Sequence, residues 1–204
     1  MNILVLGANG RTGCLVVEQA LAAGHTVRAF VRDPSKLRLG DESLSVANGD
    51  ARDVDSLRAA LKGQDAVINT IGGGERKLIA TSTAAIIAAM EIDNVKRIVI
   101  MSTFLATPNF KPTGMMRLFP RLVRNVAKDD LAGVQLLEDS TLDWTVVHAT
   151  LLKNKPASGC RIVDPKERVT GRNHINRADV AEFLLGALEN RDTIRRSLLI
   201  TGKK

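Results

Sequence analysis

Residues 2–13 read N-I-L-V-L-G-A-N-G-R-T-G, and this stretch decides the fold. Ile3, Leu4, Val5 and Leu6 make an unbroken apolar run that stops at a glycine, the pattern of a strand covered on both faces. Gly7, Gly10 and Gly13 follow three residues apart, and Cys14, Val17 and Leu21 then recur at helical spacing. Strand, glycine turn and helix in that order form a cradle for a dinucleotide. Gly7 permits the tight turn, Gly10 lets backbone N–H groups approach a pyrophosphate, and Gly13 lets the helix pack close on the strand. The helix N-terminus adds its partial positive charge. The competing reading is an ordinary turn that binds nothing. The position directly after a strand and directly before an amphipathic helix favours the cradle.

Outward from this turn, strand and helix keep alternating. A second strand at 26–31 ends at Arg32-Asp33-Pro34-Ser35-Lys36, and a third at 44–48 closes on Gly49-Asp50. A short helix capped near Asp53 carries Leu57, Ala60 and Leu61 on one face. The fourth strand, 66–71, runs into Gly72-Gly73-Gly74, and the next helix shows Ile79, Thr83, Ile86, Ile87 and Met90 at helical spacing. Arg97 opens a fifth strand that stops at Ser102-Thr103. Repeated alternation requires right-handed crossovers and a parallel sheet covered on both faces. The expected fold is therefore α/β: a three-layer, doubly wound parallel sheet, the Rossmann fold, as a single domain over 1–204.

Beyond the fifth strand the pattern loosens. Residues 107–120 hold three prolines and predict a loop over the carboxyl edge of the sheet, so ligand-edge loops are expected around 103–120 and 150–176. A helix over 121–139 leads to a strand at 144–147, and Trp144 is read as core. Residues 156–171 read as irregular, with a hairpin around Asp164-Pro165. Asn176-x-x-Asp179 has the form of a capping box, followed by a helix bearing Val180, Phe183, Leu184, Ala187 and Leu188, and a last strand at 197–201.

Hydrophobic content of 45% and charged content of 25% are ordinary globular values. Two cysteines far apart, Cys14 and Cys160, suggest no disulfide framework and predict a reducing, cytoplasmic setting. The first strand begins at once, so no signal peptide is expected, and no apolar run reaches membrane-spanning length. The net charge of +7 raises nucleic acid as a partner, but aromatics are 3% and tyrosine is absent, which disfavours base stacking. A protein that binds a phosphate-rich cofactor accounts for much of the basic surplus.

The whole chain resembles the atypical short-chain dehydrogenase/reductases that bind NAD(P) through G-x-x-G-x-x-G, and within them the flavin reductase or biliverdin-IXβ reductase group. The matching stretches are G-A-N-G-R-T-G at 7–13, V-R-D-P-S-K at 31–36, G-Q-D-A-V-I at 63–68, S-T-F-L at 102–105 and A-D-V-A-E-F at 178–183. The resemblance implies that Gly7, Gly10, Arg11, Thr12 and Gly13 hold the pyrophosphate, with Asn9 in the same cofactor-binding turn. It implies that Arg32 sits over the adenine and beside a ribose 2′-phosphate, with Ser35 and Lys36 nearby. Asp50 and Ala51 would border the adenine, and Ile71, Gly72 and Gly73 would line the ribose and nicotinamide side. Ser102 and Thr103 would face the nicotinamide and the substrate. Classical members use a Tyr-x-x-x-Lys pair to donate a proton, and this chain has no tyrosine; the flavin reductase group also works without that pair.

The remaining candidates are few. His25 and His174 read as turn and loop residues, whereas His148 ends the sixth strand on the ligand side and is either a candidate catalytic contact or, as a lone histidine more often is, a satisfied partly buried core residue. No Cys/His spacing suggests a metal site. Cys14 opens the first helix, where a thiol pKa can fall, although its periodic position suits packing. Arg117, Arg121, Arg124 and Lys128 fall on one helical stripe, either a solvated face or an attractor for an anionic acceptor. The expectation is an NADPH-preferring oxidoreductase that passes hydride to a planar conjugated acceptor such as a flavin, quinone or tetrapyrrole. Ser102 would assist by position, and the proton would come from water. The alternative is a redox sensor that binds NADP(H), turns nothing over and acts through a protein partner.

Overall fold

The computed structural model describes residues 1–37, 40–72, 77–107 and 120–203; of residues 120–123 and 126 it describes only the backbone. Its strands are β1 (Asn2–Leu6), β2 (Thr26–Val31), β3 (Leu44–Asn48), β4 (Ala66–Asn69), β5 (Arg97–Thr103), β6 (Asp143–Ala149), β7 (Leu151–Lys153), β8 (Cys160–Ile162), β9 (His174–Asn176) and β10 (Arg196–Gly202). The α-helices are α1 (Gly13–Ala22), α2 (Val54–Leu61), α3 (Leu78–Ile92), α4 (Pro120–Glu138) and α5 (Arg177–Glu189). The main sheet runs β3-β2-β1-β4-β5-β6-β10-β8; every pairing is parallel except β10 with β8. A separate parallel pair joins β7 to β9.

The apolar run in β1 has the place its composition demands. Ile3 to Leu6 are fully buried, with Ile3 and Val5 facing one layer of helices and Leu4 and Leu6 the other. On the first face Val16, Val17 and Ala20 of α1 meet Val180, Leu184 and Leu188 of α5. On the second, Leu57 and Leu61 of α2, Ile86 and Met90 of α3 and Leu137 of α4 pack over Val67, Ile98, Trp144 and Val146. Each such side chain contributes about 1.5–3 kcal/mol relative to exposure, so the layers hold together without cross-links. The strand order reverses direction between β1 and β4, and a doubly wound sheet opens a crevice at that point, outside the carboxyl ends of its strands.

Three local expectations need correction. The fourth strand leaves the ladder at Asn69, because Thr70 turns its hydroxyl to the Leu6 carbonyl at 2.9 Å and the Ile71 amide bonds the Asn69 side chain. The turn at Asp164 exists, but no local hairpin forms around it, since β8 pairs with the distant β10. The capping box at Asn176 and Asp179 does not form either. Asn176 donates to Ser158 Oγ, and Asp179 accepts the Ser158 and Gly159 amides at 2.7 Å each. Both side chains therefore tie the segment before β8 to the start of α5.

Candidate functional site

The glycine turn has the geometry its sequence calls for. Gly7 takes φ +75°, a conformation that only glycine adopts freely, and the Gly10 amide donates back to the Gly7 carbonyl at 2.9 Å. A Cβ on Gly13 would meet that same carbonyl oxygen at 2.1 Å, and one on Gly10 would meet it at 3.1 Å. No side chain caps the N-terminus of α1, and its first turn carries no acidic residue. An uncapped helix start above a bare glycine backbone is a receptive end for an anion.

This turn forms one wall of a cleft at the carboxyl edge of the sheet. Gly7, Asn9 and Gly10 line it from the turn, Arg32 from the end of β2, Asp50 and Ala51 from the end of β3, and Ile71 and Gly72 from beyond β4. These positions lie far apart in sequence, and the parallel sheet gathers them at its carboxyl edge. Thr12 and Gly13 are buried beneath the turn, and Arg11 is exposed beside it. Gly73 lies outside the described residues.

Charge in the cleft is ordered by short local bonds. Arg52 grips Asp50 with its Nε at 3.0 Å and Nη2 at 2.5 Å, and this fork pulls the Asp50 carboxyl down to about 2. Asp50 is therefore an anion throughout the physiological range. Asp33 accepts from the Ser35 hydroxyl and amide and from Lys36 Nζ, and these bonds lower its pKa too. Ser35 and Lys36 consequently stand in an exposed turn around Asp33 rather than in the cleft wall. Of the Arg32-Asp33 pair, it is the arginine that lines the cleft.

Sequence reasoning missed several lining residues. Phe30 and Val31 close the floor beside Gly49, where a Cβ would strike the Phe30 ring at 2.6 Å. Thr70 reads as one more strand residue, yet its hydroxyl locks the β1 terminus to the β4 terminus.

Further along the edge, the β4–β5 ladder ends where Ile100 pairs with Asn69, and Ser102 stands two residues beyond that pair, at the carboxyl end of β5. The Ser102 hydroxyl donates to Asp130 Oδ1 of α4 at 2.9 Å. Asp130, 9% exposed, also accepts the Thr103 amide, and burial pushes its pKa up. No sequence signal singled it out. Its neighbour Asp129 accepts the Ile79 and Ala80 amides at 3.1 Å each, capping α3, whose own N-cap residue Lys77 offers no side-chain bond.

His148 does not have the place expected of a catalytic contact. It is 4% exposed, its Nδ1 lies 3.1 Å from the Thr103 carbonyl, and its Nε2 lies 2.7 Å from Ser197 Oγ. Burial lowers its pKa and keeps the ring neutral. The carbonyl can only accept, so Nδ1 carries the hydrogen and Nε2 accepts from Ser197. Both nitrogens are thereby engaged inside the protein.

The other candidates lie at the margins. Arg124 and Lys128 are exposed on α4 and do not line the cleft; Arg117 and the Arg121 side chain lie outside the described residues. His25 bridges the first residue and Glu189, and His174 bonds the Arg172 carbonyl. Burial raises the Cys14 thiol, against the lowering that a helix start can cause. Among the described residues no group of three His, Cys, Asp or Glu side chains converges as a metal site. Among the same residues no helix is long and apolar enough to cross a membrane.

Comparison with known proteins agrees with this geometry. A sugar epimerase of Bacillus subtilis, YhfK, itself uncharacterised, is 27% identical over 212 residues, covering 98% of this chain and 94% of that protein. ChuY, an anaerobillin reductase from Escherichia coli O157:H7, superposes with a TM-score of 0.82 at 19% identity, covering 100% of this chain and 98% of that one. A short-chain dehydrogenase/reductase from Veillonella parvula, solved in complex with NADP, does so with a TM-score of 0.81 at 19% identity, covering 99% and 94%. At such identities the two structures establish the shared fold. The model of a family described as NAD(P)H-binding matches residues 7–191, from the first glycine of the turn past the end of α5, and this chain belongs to that NAD(P)H-binding family.

Proposed function

We propose that the protein is an NADPH-dependent reductase that passes hydride to a planar conjugated acceptor, with flavins, quinones and tetrapyrroles as the class. The observation that carries the reading is the shared cleft wall of the Gly7–Gly10 turn and Arg32, with the Asp33 carboxylate bonded to its own turn. A 2′-phosphate beside Arg32 would gain a charge-assisted bond, whereas Asp33 is not turned to hold a free 2′-hydroxyl. A pyrophosphate would lie over the Gly7–Gly10 turn, at the uncapped start of α1.

Bound NADPH would supply the hydride, and this chain supplies orientation and charge. Asp50 and Ala51 would border the adenine, Ile71 and Gly72 the ribose, and Ser102 the nicotinamide. Thr103 holds the β5 terminus through its backbone, donating to Asp130 and accepting from His148. Arg124 and Lys128, exposed on α4, would draw in an acidic acceptor. The cytoplasm is the proposed setting, supported by two free thiols.

The test mixes protein and NADPH with a panel of flavins, quinones and bile pigments and follows loss of the nicotinamide absorbance. Turnover with any acceptor supports the reading. Tight NADPH binding with no turnover across the panel overturns it in favour of a sensor acting through a protein partner.

A further inference from the structure

Asp130 is a buried acid, and the functional reading above gives it no chemical role. It sits on α4 against the end of β5, where its carboxylate receives the Ser102 hydroxyl at 2.9 Å and the Thr103 amide. Its helix neighbour Asp129 points to α3 and is consumed by two amides there. Adjacent helix residues point about 100° apart, so the Asp129-Asp130 pair divides between two tasks. Asp129 is a cap. Asp130 faces the Ser102 hydroxyl, two residues beyond the last β4–β5 pair, at the carboxyl edge of the sheet.

We propose that Asp130 is the positioning residue behind Ser102: it orients the Ser102 hydroxyl and passes a proton through it to the acceptor. This inference rests on the reductase reading of the cleft. The acceptor gains a hydride from the reduced nicotinamide, breaking one C–H bond and leaving the ring oxidised. The acceptor anion then takes the Ser102 hydroxyl proton while Ser102 takes the proton of the Asp130 carboxyl. Asp130 is left as a carboxylate in the bonding arrangement seen here, with Ser102 and the Thr103 amide donating to it. Water restores its proton once product has left. The absence of tyrosine led to the expectation of a proton drawn directly from water; a buried carboxyl bonded to Ser102 provides a proton store inside the protein.

Among the described residues, the charged groups around Asp130 are few. On α4 they are Asp129, which raises its pKa, and Lys128; at the start of α3 stands Lys77. The only charged group of β5 is Arg97, at the strand's far end, and the neutral ring of His148 on β6 bonds the far side of the Thr103 residue. Burial is the largest influence and favours the protonated acid, while the two hydrogen bonds from Ser102 and Thr103 favour the anion. Such opposed influences suit a group that must both hold and release a proton.

Two measurements test the relay. In the protein without cofactor, the Asp130 carboxyl carbon is titrated by NMR, with Asp130→Asn assigning its signal. A midpoint above the ordinary aspartate value of about 3.9, raised further by Ser102→Ala, is expected. With NADPH and an acceptor, Asp130→Asn should lower kcat by about 10²–10⁴-fold while NADPH affinity is kept, and should abolish the fall of kcat with rising pH. Thermal melts establish that the near-isosteric variant is folded. A midpoint in the ordinary range and indifferent to Ser102→Ala overturns the relay whatever the turnover, as does an Asp130→Asn enzyme with the native pH profile. Failure of every acceptor overturns the reductase reading separately, and the carboxyl titration then still reports on the Asp130–Ser102 coupling.

Discussion

The carbonyl oxygen of Gly7 lies 2.1 Å from where a Cβ on Gly13 would stand. Thr70 Oγ1, at 2.8 Å from the same point, closes the other side, so neither neighbour can move away cheaply. Gly13→Ala should destabilise the protein by about 1–3 kcal/mol, the usual cost of overpacking, and abolish NADPH binding by displacing α1 from the turn. Thermal melting and calorimetric titration check the two effects together. Native affinity in this variant would show that the turn does not hold the cofactor.

Arg32 should set the choice of cofactor. Arg32→Ala is expected to weaken NADPH by about 1.5–3 kcal/mol, the worth of a hydrogen bond to a charged group, and to leave NADH nearly unchanged. Titration of native and variant protein with both nucleotides decides it. An equal loss for the two would remove the 2′-phosphate from the account of this cleft.

Asp129 should matter to stability and not to chemistry. Its carboxylate caps α3 from another helix, so Asp129→Ala should cost about 0.5–2 kcal/mol in urea unfolding, as lost caps do. NADPH affinity should stay within error. Asp129→Asn, which keeps an acceptor oxygen, should recover part of the loss.

His148 should make the fold acid-sensitive. Its folded pKa is depressed by burial, so below the ordinary imidazole value of about 6.5 the unfolded chain binds the extra proton more readily. Stability from the neutral ring is therefore complete above pH of about 6.5 and declines as pH falls below it. Melts of native protein and His148→Phe between neutral and mildly acidic pH should show a steeper acid decline in the native protein. Parallel curves would mean that the ring titrates as it does in the unfolded chain.

How much of this was legible in the sequence depends on how far each contact reaches. Ile3 to Leu6 announced a strand buried on both faces because composition alone demands it, and the spacing of Gly7, Gly10 and Gly13 announced the turn. Asp53 caps α2 as its sequence suggests, because its partner, the Asp55 amide, is two residues away. Asn176 and Asp179 have the local form of a cap, yet a segment about twenty residues upstream claims both side chains. Neither Ser102 nor Asp130 hints at the other along the chain, since only the packing of α4 against β5 brings them together. His148 was placed correctly at the end of β6; the occupation of both its nitrogens arises from strands on either side of it.

The order of strands in space also sets an order in time. β10 lies between β6 and β8, so the antiparallel edge strand has no neighbour to pair with until the residues of β10 have been synthesised. On the ribosome, Ile162 must wait for Ile200, and the β6 edge stays open over the same interval. The glycine turn and the Arg32 wall can form early from neighbouring parallel strands, while the far end of the sheet closes last. A nascent chain of this protein should therefore acquire its nucleotide cleft before its full sheet, and NADPH present during synthesis would engage a partly folded chain.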